Sequence, residues 1–267
     1  MKKVFKIILK ILILILLTLL TQIGGIIYLV SEIIIYKKTK HHRLRKSGVF
    51  IILYFGITFL LIPIVAPIFG REKIKNNDFI AAQTIFTTVC NRNYVTPQLN
   101  KALQNIAKTL NNKHQGIKLI YLDANFPFID GFPLLPHLSH NDGKKIDISF
   151  IYVNKESNIT NKKPAILGYG VYDGPNSNEY DQIKVCKEKG YWQYDFPKYL
   201  TLGIINNELK LSKKATKDLL LAIVKEKQIR KVFIEPHLRN RIGIQSPKIR
   251  FHGCQAVRHD DHIHFQL

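Results

Sequence analysis

The sequence predicts an α+β domain built on a small antiparallel sheet, preceded by a hairpin of two transmembrane helices. Three observations carry that reading. Residues 11–31 and 49–70 are apolar runs without a charge, with cations gathered between them. Beyond residue 70, segments of helical and of strand periodicity follow one another without a regular βα alternation. A stretch rich in Gly, Asn, Pro and Tyr, residues 154–195, reads as long loops. The composition, 46% hydrophobic and 22% charged, excludes a disordered or collagen-like chain.

Both apolar runs reach the roughly 20 residues that a helix needs to cross a bilayer core. A signal peptide is the competing reading of the first, since Lys2, Lys3 and Lys6 precede it. The run is too long for that, lacks a small-residue cleavage site and is soon followed by a second. The linker carries Lys37, Lys38, Lys40, Arg43, Arg45 and Lys46, whereas only Arg71, Lys73 and Lys75 follow the second run. The positive-inside rule then puts the linker in the cytoplasm and residues 71–267 outside. The expected location is the bacterial cytoplasmic membrane, with the domain on its periplasmic or extracellular side. Cys90, Cys186 and Cys254 all fall in that exported part, where one pair can bridge or all three can stay as buried thiols.

Within residues 71–267, helices are expected over 78–89 and 96–110, the second with Thr96 as N-cap and Pro97 at its first position. Residues 117–122 and 145–153 read as strands, the latter with Ile146, Ile148, Phe150 and Tyr152 on one face. Residues 212–227 form the clearest helix, capped by Ser212, with Leu219, Leu220, Ile223 and Val224 on one side. Short strands are expected at 231–234 and 262–267.

Five of the ten histidines lie in two windows: Pro136-His137-Leu138-Ser139-His140-Asn141-Asp142-Gly143, running on to Asp147, and His259-Asp260-Asp261-His262-Ile263-His264. His262 and His264 are two apart on a strand, so both imidazoles point to one face. Gly143 lets the chain turn after His140, and Asp147 enters the next strand. Two histidines and one aspartate from neighbouring strands suit zinc and leave a position open for water. The histidine of the pair not used as a ligand is placed to move a proton.

The pattern His140-x-x-Gly143-x-x-x-Asp147, followed by His262-x-His264, resembles the zinc peptidases that group lysostaphin-type enzymes, D-Ala-D-Ala peptidases and hedgehog domains. The flanking His137 and His259 resemble those of the penicillin-insensitive murein endopeptidases, which carry G-H-x-S-H-x-x-G-x-x-x-D and H-D-x-H-x-H. The resemblance covers these two motifs and their order; Pro136 stands where the family often has Gly. It implies Zn²⁺ held by His140, Asp147 and His264, and catalysis by His262 on protons or on the tetrahedral intermediate. It gives His259 and His137 supporting or second-metal roles. The implied reaction is hydrolysis of amide bonds in peptidoglycan peptides, as an endopeptidase rather than a D,D-carboxypeptidase. A non-catalytic binding module of the same fold is the alternative from another class.

Other residues stand near these motifs. Asp260 or Asp261 can orient an imidazole. Tyr169, Tyr172, Tyr180, Tyr191, Trp192 and Tyr194 suit a cleft wall, an oxyanion donor or plain core packing. Glu235-Pro236-His237 follows a strand, and Asp123 and Asp130 precede the first motif. The net charge of +21 draws an exported domain to anionic wall polymers and lipids. No helix-turn-helix or RNA-binding motif accompanies it, so nucleic acid is not the expected partner.

Overall fold

The computed structural model describes residues 2–36, 40–199 and 202–267. Lys37 and Lys38 of the basic linker lie outside the described residues. The chain opens with helix α1 (Lys2–Thr21), then α2 (Gly24–Ile34) and α3, which runs from His42 to Gly56 and is prolonged through wider and tighter turns to Phe69. The change of pitch at Ile57–Leu61 lies just before Pro63, whose missing N–H releases the carbonyl one turn back. Lys2–Thr21 and His42–Phe69 are long and apolar enough to cross a membrane.

The first apolar run is therefore not one helix over 11–31. It breaks at Gln22, which adopts a left-handed conformation with φ 67°, and α2 folds back along α1. The cause is local. Thr21 Oγ1 accepts the Gly24 N–H at 2.8 Å, capping the new helix. Gly25 permits the close approach: a Cβ there would lie 1.9 Å from Thr18 Oγ1 and 2.8 Å from the Leu14 carbonyl oxygen. At the far end of the hairpin Glu32 pairs with Lys10 and, at 2.6 Å, with Lys46. At the near end Gln22 Oε1 accepts the Phe128 N–H at 3.0 Å, and Tyr54 Oη donates to the Val89 carbonyl at 2.7 Å.

The domain's main sheet has six strands: β1 (Ile80–Ala82), β2 (Leu119–Asp123), β3 (Lys145–Ser149), β4 (Lys231–Phe233), β5 (Ile249–Arg250) and β6 (His262–Gln266). Their spatial order is β5-β4-β6-β3-β2-β1. The sheet is mixed rather than purely antiparallel, because β1 pairs parallel with β2 and β5 parallel with β4 at the two edges. Residues 78–89, expected as one helix, divide into β1 and a short helix α4 (Ile85–Val89). Pairing with β2 outweighs the helical propensity that Ala81 and Ala82 lend this stretch, helped by the β-preferring Phe79 and Ile80.

Helices α5 (Pro97–Lys113) and α7 (Lys213–Lys225) cover one face of the sheet, with α6 (Gln182–Glu188) between them in sequence. Thr96 and Ser212 cap α5 and α7 as the sequence indicates. Leu99, Leu103 and Ile106 of α5 and Leu219 and Ile223 of α7 bury against Ile146, Ile148, Ile263 and Phe265. The expected strand 145–153 stops at Ser149, and Tyr152–Val153 joins a separate three-stranded sheet with Ile159–Thr160 and Lys210–Leu211. A final helix, α8 (Pro236–Ile242), follows β4. Cys186 and Cys254 form a disulfide across 68 residues, tying α6 to the segment before His259, and Cys90 is a buried free thiol.

Candidate metal centre

The alternation of β3 and β6 sends Ile146, Ile148, Ile263 and Phe265 to the core and leaves Asp147, His262 and His264 on the opposite face. In register, His264 lies directly across from Asp147, and Asp147 across from Asp123 on β2. Three adjacent strands thus place three ionisable side chains in a row. His140 reaches the same point from the loop before β3. Its chain turns at Gly143, where φ is 76° and a Cβ would meet Arg71 Nε at 2.9 Å.

His140, Asp147 and His264 form a buried group able to hold a metal ion. His140 Nδ1 donates to the Ala124 carbonyl at 2.8 Å, which leaves Nε2 as the lone-pair nitrogen. That Nε2 lies 3.2 Å from His264 Nδ1 and 3.3 Å from Asp147 Oδ1, and these last two are 2.8 Å apart. Donors bound tetrahedrally at about 2.0–2.1 Å stand roughly 3.3 Å from one another, so the triangle fits zinc with a small expansion at one edge. His264 Nε2 is buried without a hydrogen-bond partner, so Nδ1 is the nitrogen that has company at the centre.

The charges suit that use. Burial opposes ionisation of Asp147, but the imidazoles of His140 and His262 hold its carboxyl well below the usual range. Burial lowers His264 to about 4, which keeps it neutral as a ligand must be. Burial also works against protonated His262, yet Asp261 and Asp147 raise it to about 9.

The remaining sequence candidates surround this triangle. His262 Nδ1 donates to Asp261 Oδ1, and its Nε2 sits 3.8 Å from Asp147 Oδ1. His137 Nδ1 lies 3.1 Å from Asp123 Oδ2 and 3.5 Å from Asp147 Oδ2, beside the carboxylates and outside the triangle. His259 is buried with its ring 4.9 Å from that of His262 and 5.5 Å from that of His252. Burial and the neighbouring His262 and His264 push its pKa well below the usual value.

Of the two aspartates considered as orienting groups, Asp261 takes that part and also accepts the Gly170 N–H at 2.6 Å. Asp260 instead accepts from Arg258 at 2.7 and 2.6 Å. Glu235 accepts the His259 N–H at 2.9 Å, while His237 turns away to the Asp173 carbonyl. Asp130 binds Arg71. Among the aromatics only Tyr169 reaches the centre, donating to Asp147 Oδ2 at 2.9 Å. Tyr172 lies under Arg258, Tyr194 donates to Glu235 at 2.6 Å, and Tyr180 and Trp192 are exposed.

Arg92 was not legible as part of this site. It grips Asp123 through Nε and Nη2, both at 2.6 Å, and nothing in its neighbourhood along the chain marks it. No family model matches the chain, and no curated protein matches it.

Proposed function

We propose that the protein is a membrane-anchored zinc peptidase that hydrolyses amide bonds in peptidoglycan peptides, acting as an endopeptidase. The observation that carries the reading is the triangle of His140 Nε2, Asp147 Oδ1 and His264 Nδ1 with a fourth imidazole, His262, beside it. Zinc held there supplies Lewis-acid polarisation of a carbonyl and lowers the pKa of a water toward about 7. Asp261 fixes the His262 ring through Nδ1. Beside a bound zinc cation the ring's protonation is opposed and its raised pKa comes back toward neutrality, so that Nε2 is the atom that accepts a proton at the centre and returns it to the leaving amine. Tyr169 holds Asp147 Oδ2, with His137 Nδ1 nearby at 3.5 Å, which keeps Oδ1 turned to the metal position. A module that only bound metal has no use for the Asp261–His262 pair.

Charge supports the orientation. A two-span hairpin would put the N-terminal lysines on the domain's side. The turn at Gln22 brings them to the linker's end instead, because Lys10 and Lys46 share Glu32. Lys2, Lys3, Lys6, Lys10, Lys40, Arg43, Arg45 and Lys46 then gather at the end away from the domain, which the positive-inside rule reads as cytoplasmic. The domain faces out, where its excess of basic residues meets anionic wall polymers.

The test is mass spectrometry of peptidoglycan incubated with the zinc-loaded full chain, with and without a chelator. New fragments that the chelator abolishes, and that His262→Ala fails to release while keeping its zinc, are the expected result. Stoichiometric zinc retained by His140→Ala or Asp147→Ala would refute the ligand assignment.

A further inference from the structure

A cavity of about 350 Å³ opens beside the metal centre, and one of its walls belongs to the first apolar helix. Leu20, in the last turn of α1, lines it together with Phe86, Leu122, Leu135 and Leu167, and so do His137, Tyr169 and the Arg92–Asp123 pair. Of these, Tyr169 donates to Asp147 Oδ2, and His137 lies 3.5 Å from the same oxygen. The cavity therefore runs from apolar side chains at the membrane helix to groups in contact with a metal-ligand carboxylate. Its volume is in the range of sites that take a small molecule or one chain of a larger one.

The surroundings continue the apolar character outward. Ile85 beside Phe86, Ile129 beside Phe128 and Leu138 beside His137 are exposed at 79%, 56% and 57%. Phe128 is itself bonded to the hairpin tip at Gln22, which puts Ile129 near where α1 meets the domain, while Phe86 and His137, the chain neighbours of Ile85 and Leu138, line the cavity. Isolated exposed apolar residues are ordinary; a group of them around an apolar cavity that touches a membrane-length helix marks contact with hydrocarbon. With α1 across the bilayer, Leu20 stands at the outer boundary of the membrane core, and the cavity opens at that level. A water-borne peptide has no use for such a wall.

We propose that this cavity receives the hydrocarbon tail of a membrane-anchored substrate, so that the amide to be cut sits a short distance from a lipid anchor. The inference rests on the membrane and metal readings above and narrows the substrate from peptidoglycan peptides in general to lipid-linked ones. The tail lies along Leu20, Phe86 and Leu135, and the polar head turns past His137 and Tyr169 toward Asp147. Specificity then comes from where the substrate is tethered as much as from the peptide.

The probe is a short D-amino-acid stem peptide carrying a palmitoyl chain with a photoactivatable diazirine. It is added to the full chain in phosphatidylethanolamine–phosphatidylglycerol vesicles, irradiated, and the adducts are mapped by peptide mass spectrometry. Adducts are expected on Phe86, Leu135 and Leu167, displaced by the unlabelled palmitoyl peptide and not by the unacylated one. Thr84→Trp, which fills the cavity from a partly exposed position, should lower them about tenfold, the loss for displacing a couple of buried methylenes. Zinc content should stay unchanged. Phe86→Gln, at a side chain already 44% exposed, gives the same reading should the indole disturb folding.

Adducts confined to the outward faces of α1 and α3, adducts that the palmitoyl peptide does not displace, or adducts undiminished in both variants would overturn the inference. Labelling requires no turnover, so the two proposals fail separately. Cavity adducts without chelator-sensitive cleavage refute the peptidase and leave the lipid site standing. Equal cleavage of acylated and unacylated peptide, without cavity adducts, does the reverse.

Discussion

Replacing Tyr169 by Phe removes one oxygen and tests whether the carboxylate of Asp147 is held for a metal. The hydroxyl donates to Asp147 Oδ2 at 2.9 Å in a partly buried setting, and His137 Nδ1, bonded to Asp123, lies 3.5 Å from the same oxygen. A hydrogen bond to a charged acceptor contributes about 1.5–3 kcal/mol. Loss of such an outer partner of a metal ligand typically costs about 10–100-fold in metal affinity, which agrees with that energy. Phe keeps the ring that packs 4.7 Å from the His137 ring, so the fold should be unaffected. Zinc affinity is measured by competition with a chromophoric chelator at fixed pH, with thermal unfolding of the chelated protein as the control. The expected result is weaker zinc binding by one to two orders of magnitude at unchanged apo stability. Wild-type affinity in Tyr169→Phe would refute the view that this hydroxyl positions the ligand carboxylate, and a loss of activity alone would move Tyr169 to the substrate.

Four further outcomes follow from buried groups. Burial pushes the Lys163 amine down to about 7, with Nζ donating to the Phe150 carbonyl. Between pH 7 and 10.5 the unfolded chain holds the proton more tightly, so wild-type stability falls as the pH drops through that window; Lys163→Met should raise the melting temperature at pH 7 by an amount reflecting about 3–5 kcal/mol at most, and by little near pH 10.5. Burial raises Glu235 to about 7, so the folded state keeps a proton that the unfolded chain releases above pH 4.5, and stability declines as the pH rises through 7; Glu235→Gln should abolish that decline, a difference of about 3 kcal/mol at pH 8 in thermal scans. Reduction of Cys186–Cys254 opens a loop of 68 residues and should cost about 4 kcal/mol, seen as a lower melting temperature with dithiothreitol. Arg92→Met strands the buried Asp123 carboxylate and should destabilise by about 3–5 kcal/mol, whereas the double change with Asp123→Leu should recover most of that loss.

What could be read from the chain and what could not divides along physical lines. Thr96-Pro97 and Ser212 are local cap signals and mark the starts of α5 and α7. The two-residue alternation of His262, Ile263, His264 and Phe265 needs no partner to show which side chains share a face, and the spacing from His140 to Asp147 is likewise short-range. The break at Gln22 was missed because absence of charge measures hydrocarbon length without reporting where a chain turns. The cause, Gly24 and Gly25 meeting Thr21 and Thr18, was in plain sight but becomes a turn only when α2 packs on α1. The parallel edge strands depend on β2 and β4 as templates. Arg92 and Tyr169 join the site across 31 and 22 residues of sequence, and no local pattern encodes such a meeting.

The centre is held from two sides by different means, and the difference bears on how it works. On the side of β2, Arg92, Asp123 and His137 form a chain of charge contacts that ends on Asp147, a ligand atom away from the metal position. Buried ion pairs contribute little net stability against an apolar replacement, so their value here lies in placement. The cavity with Leu20 touches this same chain, at His137. On the side of β4, Arg258 bridges Asp260 and Asp195 while Glu235 takes the His259 N–H, and the disulfide secures the approach to that segment. That half carries His262, proposed above to move a proton, at the start of β6. The two sides meet at Tyr169 and Gly170, which join the cavity wall to Asp147, to the His262 ring and to Asp261. A tail seated against Tyr169 would press on the hydrogen bond that orients Asp147 and, through the Tyr169 ring 5.0 Å from that of His262 and the Gly170 N–H on Asp261, would reach the Asp261–His262 pair as well.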